Sequence, residues 1–411
     1  MLAGAVFTVL GKIVSQSQRS EPVLSSGRQT IPPNRLWDAL VVGAGPGGAM
    51  TAYELSRMGK QVLLLDRSRF PRWKVCGGTL SPGARDLLSE AGLGDLLERS
   101  GADRLKTLRL GGWGMRVDLP LNGSIALSRS SLDSSLVEAA VAKGAHFCGG
   151  ARAKLGRLEK DRRILEVSTE SEQLDVSARV VIAADGVGSQ IMAQAGVPSR
   201  TPSSAKRAVI GLGGVVQTSV PDYESGIIHM AVGAEGYVGL VRVEDGSLNV
   251  AAALNPLALK EAGSPATLVD HLLRECGWPK LASPPAKGWK GTPELTRRPQ
   301  RPGAERLFAV GDAAGYLEPF TGEGVFWALA AARRLAPFAA RATNLWERGL
   351  LDDWSRAHAL LMGRAQRICR ITSFVLARPF LTRTLIRTLR SHPQLARPMI
   401  RRVGAPIPSL G

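Results

Sequence analysis

The run Asp38-Ala-Leu-Val-Val-Gly43-Ala-Gly45-Pro-Gly47-Gly48 is followed, 18 residues after its last glycine, by Asp66 at the end of the apolar stretch Gln61-Val-Leu-Leu-Leu65. Residues of these types at this spacing suit the cradling of a dinucleotide. Gly43 permits a tight turn, Gly45 lets the backbone approach a pyrophosphate, and Gly48 lets a helix pack close to the strand before it. The N-terminus of that helix offers free N–H groups and positive dipole to phosphates. Asp66 then accepts hydrogen bonds from a ribose diol, with Arg67 beside it.

Two later segments repeat the strand-to-turn arrangement. Arg179-Val-Val-Ile-Ala-Ala-Asp185-Gly186-Val-Gly188 is a buried strand running into a small-residue turn. Leu307-Phe-Ala-Val-Gly311-Asp312 continues as Ala-Ala-Gly-Tyr-Leu-Glu-Pro319-Phe-Thr-Gly322-Glu323-Gly324-Val325. Gly311 allows close passage of the backbone, and Asp312 can bond a ribityl hydroxyl. The helix-forming run from Val325 would aim its positive N-terminus at the negative edge of a reduced flavin, with Pro319 stiffening the wall beside the ring. A nicotinamide dehydrogenase needs no such third segment, so FAD is the expected cofactor.

These segments, in this order, resemble the flavoprotein superfamily that includes p-hydroxybenzoate hydroxylase. Within it, Arg69-Phe-Pro-Arg72-Trp-Lys74-Val-Cys76-Gly-Gly78 and the Gly322-Glu323-Gly324 loop resemble geranylgeranyl reductases. The resemblance implies that Arg129 reaches the FAD pyrophosphate and that Cys76 lies near the flavin. Lys74 is then placed to act on Cys76 or on substrate. Tyr237 matches part of an aromatic pattern over the isoprenoid in those reductases, while Gly239 and Arg242 depart from it and suggest a roomier or more polar surface.

The elements that must hold these residues imply an α/β fold. A Rossmann-like FAD-binding domain of the p-hydroxybenzoate hydroxylase type is expected over 37–104, 125–204 and 297–341. An antiparallel-sheet substrate domain is expected over 105–124 and 205–296, followed by a basic helical C-terminal region at 342–411. Residues 1–36, rich in Ser, Gln, Gly and Pro after a short apolar run, read as a disordered extension or an over-called start.

The chain has 411 residues, 44% of them hydrophobic, enough for several cores. Its four cysteines form no C-x-x-C pair and its five histidines no close pair, so a metal is not expected, and reduced thiols point to the cytoplasm. The net charge is +18, and Arg333–Arg402 alone hold 15 arginines against three acids. There is no helix-turn-helix, zinc or aromatic RNA-binding signature, so nucleic acid is not an expected partner. Leu376–Leu389 instead interleave apolar residues with arginines, which suits either peripheral contact with an anionic membrane or a solvated helical cover.

The expected function is FAD-dependent reduction of a C=C bond in a lipophilic isoprenoid or polyketide-like molecule. NAD(P)H or a protein electron donor would act as transient reductant, since no second glycine fingerprint exists to hold one. An FAD-dependent monooxygenase using NAD(P)H and oxygen is the alternative on the same fold, and a membrane-associated electron-transfer flavoprotein a second. The Trp-x-Trp-x-Ile-Pro stretch of flavin halogenases is not found.

Overall fold

The computed structural model describes residues 30–200, 209–217, 223–281, 283–316, 320, 322–376 and 378–402, the side chains of 364–366, 368, 399, 401 and 402 aside. The chain opens with β1 (Leu36–Val42), α1 (Pro46–Arg57) and β2 (Val62–Asp66). It leaves for β3 (Thr107–Gly112) and β4 (Met115–Pro120), then returns through α2 (Arg129–Ala142), β5 (His146–Gly149), β6 (Arg152–Leu158), β7 (Arg163–Ser168) and β8 (Gln173–Ala183). A second excursion supplies β9 (Ile210–Val216), β10 (Ile227–Gly233), β11 (Gly236–Arg242), β12 (Leu248–Leu254), α3 (Pro265–Glu275) and β13 (Lys290–Glu294). Strands β14 (Gly303–Ala304) and β15 (Leu307–Ala309) come back to the start, and helices α4 (Gly324–Asn344), α5 (Gly349–Leu376) and α6 (Pro379–Ser391) follow.

The first sheet runs β14-β15-β8-β1-β2-β5, with the β6–β7 hairpin paired to the first half of β8. Its central pairs are parallel, which explains why β1 and β2 read as unbroken apolar runs: helices or strands cover both faces. Leu63, Leu64 and Leu65 are completely buried, and each such side chain contributes about 1.5–3 kcal/mol by leaving water. Ala39 and Val41 face a core shared with α1, α2 and α4, whereas Leu40 and Val42 face one closed by Trp37, Ile191 and Ile31. Within the stretch read as an extension over residues 1–36, Ile31 is 3% exposed and packs in that second core. Residues 1–29 lie outside the described residues.

The second sheet runs β13-β9-β12-β11-β10-β3-β4. It is antiparallel except where β10 meets β3, a parallel pair formed because β3 arrives from the earlier excursion of the chain. One face packs on α3, and part of the other packs on α6. Arg242 was expected to colour the same surface as Gly239, but strand alternation puts it on the opposite face. There its guanidinium donates to the carbonyls of Tyr223 and Gly246, and its charge is spent on the backbone.

His229 on β10 is 2% exposed, wedged between the rings of Tyr223 and Trp278, and neither of its ring nitrogens has a hydrogen-bond partner among the described residues. Burial, aided by Arg109, pushes its pKa down to about 4. The unfolded chain therefore binds the proton between pH 6.5 and 4 while the folded one does not, so this contribution to stability is intact above pH 6.5 and is lost as pH falls toward 4. Thermal melts across that window should show a loss approaching about 3 kcal/mol. His229→Phe should flatten that part of the profile.

Candidate active site

Strand register gathers the three glycine-bearing segments at one edge. Val42 pairs with Leu65 on one side and Ala183 on the other, and Ala183 pairs with Ala309. Gly43, Asp66, Asp185 and Gly311 therefore leave the sheet side by side, outside the carboxyl ends of parallel strands, where open α/β sheets bind ligands. Gly43 has φ of 104°, and a Cβ on Gly48 would lie 1.8 Å from the Gly43 carbonyl oxygen, so the turn closes only with glycine at both places. A Cβ on Gly47 would sit 3.5 Å from the Ala328 carbonyl oxygen and 3.6 Å from the Gly311 amide nitrogen, so α1 and α4 meet above the Gly311 turn.

At the fingerprint end, Asp66 accepts the amides of Ala44 and Ser68, each at 2.9 Å, and the guanidinium of Arg72 at 3.0 Å. Arg72 reaches on to Asp133 at 2.8 Å, and Asp133 also receives two 2.8 Å hydrogen bonds from Arg129. Asp133 is fully buried, and the other three side chains are about a tenth exposed. The result is an alternating chain, Asp66–Arg72–Asp133–Arg129, beside the glycine turn. A Cβ on Gly45 would lie 3.4 Å from Arg129 Nη2 and 4.0 Å from Arg72 Nη2, so two guanidiniums line the path of a pyrophosphate. Burial works against the Arg129 charge, but Asp133 overrides it and raises the pKa above the usual arginine value. Glu244, just beyond β11, accepts the Ser128 amide at 2.8 Å and the Ser128 and Ser131 hydroxyls, which pins the start of α2 and so aims Arg129.

At the other end, Lys74 and Asp312 lie close enough to act on each other electrostatically. Burial lowers the pKa of Lys74, reinforced by Arg129 and Arg72 and opposed by Asp312. Burial raises that of Asp312, opposed by Lys74 and Arg129. A Cβ on Gly186 would stand 3.0 Å from Lys74 Nζ, so the Asp185-Gly186 turn is the floor under the lysine. The Asp185 carboxylate itself is turned toward a helix start, accepting the amides of Gln190 and Ile191 and the Ser189 hydroxyl. Cys76 is half-buried with a free thiol, close enough to Arg129 to act on it electrostatically. Its carbonyl accepts a 2.8 Å hydrogen bond from Asn249 Nδ2 on β12, which fastens the motif loop to the second sheet.

Gly322 has φ of 73° and would meet the Thr79 hydroxyl at 2.9 Å if it carried a Cβ, so the loop before α4 touches the motif loop. Gly324 and Val325 form the first turn of α4, whose leading N–H groups face this junction. Tyr237 stands farther along the second sheet, edge-on to Phe320 at 5.0 Å. Pro319 lies outside the described residues, and Arg67 is exposed.

Arg72, Asp133, Glu244 and Asn249 were not singled out from sequence. Asp133 stands one helical turn from Arg129, a spacing that signals an i, i+4 ion pair. Arg72 lies within the Arg69–Gly78 motif, six residues beyond Asp66, whereas Glu244 and Asn249 come from the turn after β11 and from β12 and leave no local signal. A further cluster, Glu235, His271 and Glu275, brings one ligand atom each within 4.8 Å of the others. His271 and Glu275 are one turn apart on α3, a pairing that a search for paired histidines passes over.

The residues fit FAD: buried cations beside a glycine turn for the pyrophosphate, Asp66 for the ribose, and Asp312 with the α4 N-terminus for the ribityl–ring half. Gly45→Val would fill the space between the turn and the two guanidiniums, and should abolish FAD binding without lowering the melting temperature of the apoprotein by more than a few degrees. Asp312→Ala should weaken FAD by about 1–3 kcal/mol. Flavin absorbance after desalting measures both.

A family profile described as "FAD binding domain" matches residues 37–360. The menaquinone reductase of Mycobacterium tuberculosis is 28% identical over 82% of this chain and 84% of its own. Digeranylgeranylglycerophospholipid reductase 2 of Methanopyrus kandleri is 28% identical over 74% and 77%, and the rifampicin monooxygenase of Streptomyces venezuelae 26% over 78% and 67%. Among solved structures, halogenase PltM in complex with phloroglucinol and FAD superposes with a TM-score of 0.70 over 90% of this chain and 86% of that one, at 18% identity, a likeness of fold. The match to residues 37–360 spans most of the sequence, and the chain belongs to the FAD binding domain family as an FAD-dependent oxidoreductase.

Proposed function

We propose that this enzyme reduces a carbon–carbon double bond in a lipophilic, polyprenyl-type substrate. The observation that carries the reading is the position of the Cys76 loop, clamped between the cofactor edge of the first sheet and the face of the second. A Cβ on Gly213 would touch Val75 Cγ1 at 3.1 Å and Trp73 at 3.3 Å, so that face looks onto the loop. Across it, register aligns Gly213, Ala251, Gly239 and Met230 in one row. Val75 and Trp73 pack over Gly213, and Met230 over Gly239, so this face is apolar and offers a lipophilic chain van der Waals contact rather than hydrogen bonds. The names of the menaquinone and digeranylgeranylglycerophospholipid reductases support the same substrate class.

FAD, when bound, supplies the hydride for such a reduction. Arg72 and Arg129 hold its pyrophosphate, Asp66 its ribose, and Asp312 with the first turn of α4 its ribityl–ring half. Cys76 orients the double bond against the ring, and the motif loop excludes water. The second hydrogen arrives as a proton from Lys74 Nζ, whose ammonium is held below the ordinary lysine range by burial and by the two arginines, and so parts with a proton more readily. Two electrons enter from NAD(P)H or a protein donor that docks transiently. Contact of the basic C-terminal region with an anionic membrane belongs to this reading and is developed below.

The rifampicin monooxygenase likeness keeps oxygen insertion as a second reading. Anaerobic incubation with a polyprenyl quinone and excess reductant separates the two. Saturation of one double bond per two electrons supports reduction, and turnover that appears only when oxygen is admitted supports insertion. Lys74→Met should lower the reductase rate about 100-fold, and Cys76→Ser should also lower it, both with FAD occupancy retained.

A further inference from the structure

After Asp353 the sequence contains eleven arginines and no acidic residue. Helices α5 and α6 carry most of them and meet at an elbow closed by the Thr382 hydroxyl, which donates to the Val375 and Arg378 carbonyls at 2.9 and 3.3 Å. The elbow is not a polar surface. Ile371 is 66% exposed, Phe374 54% and Phe380 78%, and Arg378 lies 3.5 Å over the Phe374 ring. Arg383, Arg387 and Arg390 are exposed around them on α6. The opposite side of α6 is anchored: Ile386 and Leu389 are buried against Leu110, Val117 and Leu119 of the second sheet.

We infer that this elbow is a membrane-insertion device, with the Phe374 and Phe380 rings and Ile371 entering the acyl boundary of an anionic bilayer and the arginines of α6 seated on its headgroups. Two aromatic rings held out in water beside uncompensated arginines suit the acyl–headgroup boundary of an anionic membrane, where rings bury and guanidiniums bind phosphate. No helix among the described residues is long and apolar enough to cross the membrane, so contact is from one side. The orientation has a consequence for substrate. The apolar cluster under α6 runs without a break through Leu376 and Met230 to Tyr237 and Phe320, beside the loop that leads into α4. A lipophilic molecule leaving the bilayer at the elbow would meet apolar side chains on the same face of the second sheet that the Cys76 loop packs against. This second step rests on the reading of the enzyme as acting on a lipophilic substrate; insertion itself does not.

The test is co-sedimentation of the FAD-loaded protein with vesicles of phosphatidylcholine containing 30% phosphatidylglycerol, against phosphatidylcholine alone. The wild type should bind the anionic vesicles and bind less as salt is raised. Replacing Arg383, Arg387 and Arg390 by Gln should weaken partitioning on the order of 100-fold, since each cation near the surface contributes about 1 kcal/mol. Phe374→Ser with Phe380→Ser should weaken it at least tenfold at unchanged charge, and both variants should keep wild-type flavin spectra. Wild-type indifference to the anionic lipid overturns the proposal. So does full binding by the phenylalanine variant, which would leave a purely electrostatic contact such as an acidic protein partner would also satisfy. Turnover of a short-chain, water-soluble analogue should be equal in all three proteins. Its absence in all three, with vesicle binding intact, would count against the substrate reading and leave insertion standing.

Discussion

Two carboxylates and two guanidiniums, almost removed from water, alternate along Asp66, Arg72, Asp133 and Arg129. Each charge is tolerable only because of its neighbours, and removing one member of such a buried pair costs about 3–5 kcal/mol. The chain therefore forces three segments far apart in sequence to keep one geometry: the end of β2, the loop bearing Lys74 and Cys76, and the first turn of α2. It also leaves two guanidiniums directed at the glycine turn, ready for an anion, since a bidentate partner on one side fixes where the remaining N–H groups point.

The rest of the cleft is held by the same logic at lower charge. Asn249 ties the Cys76 carbonyl to the second sheet, and Glu244 ties the start of α2 to the turn after β11. These two bonds make the second sheet a support for cofactor residues it does not contain. Lys74 and Asp312 influence each other electrostatically, each with burial acting against its charge and the other group favouring it. Shifted titratable groups of this kind cluster at functional sites, and the pair is the proton source in the proposed reduction.

Much of the first sheet was legible in the sequence because its signals are local. Apolar runs leading into glycine turns marked β1, β8 and β15, a run ending in Asp66 marked β2, and the register of parallel strands did the rest. Pro46 at the first helical position and Gly48 at a 1.8 Å approach mark the start of α1 and could be read as residue types. What stayed hidden depends on residues separated by long stretches of chain. Arg72 and Asp133 are 61 positions apart, and Cys76 and Asn249 are 173 apart. Arg242 was misplaced although the period-2 alternation along β11 already puts residues three apart, such as Gly239 and Arg242, on opposite faces. Arg129, expected at the pyrophosphate by resemblance, is placed by the structure beside Gly45.

Presentation of the two guanidiniums to the cofactor by the ionic chain is the central proposal. Its most direct test is the FAD dissociation constant of Arg72→Gln, Asp133→Asn and the double variant. A single interdependent unit predicts that each single change weakens FAD by about 2–3 kcal/mol and that the double change adds little beyond the larger of them. Independent, additive losses, or an unaltered affinity in Arg72→Gln, would contradict it.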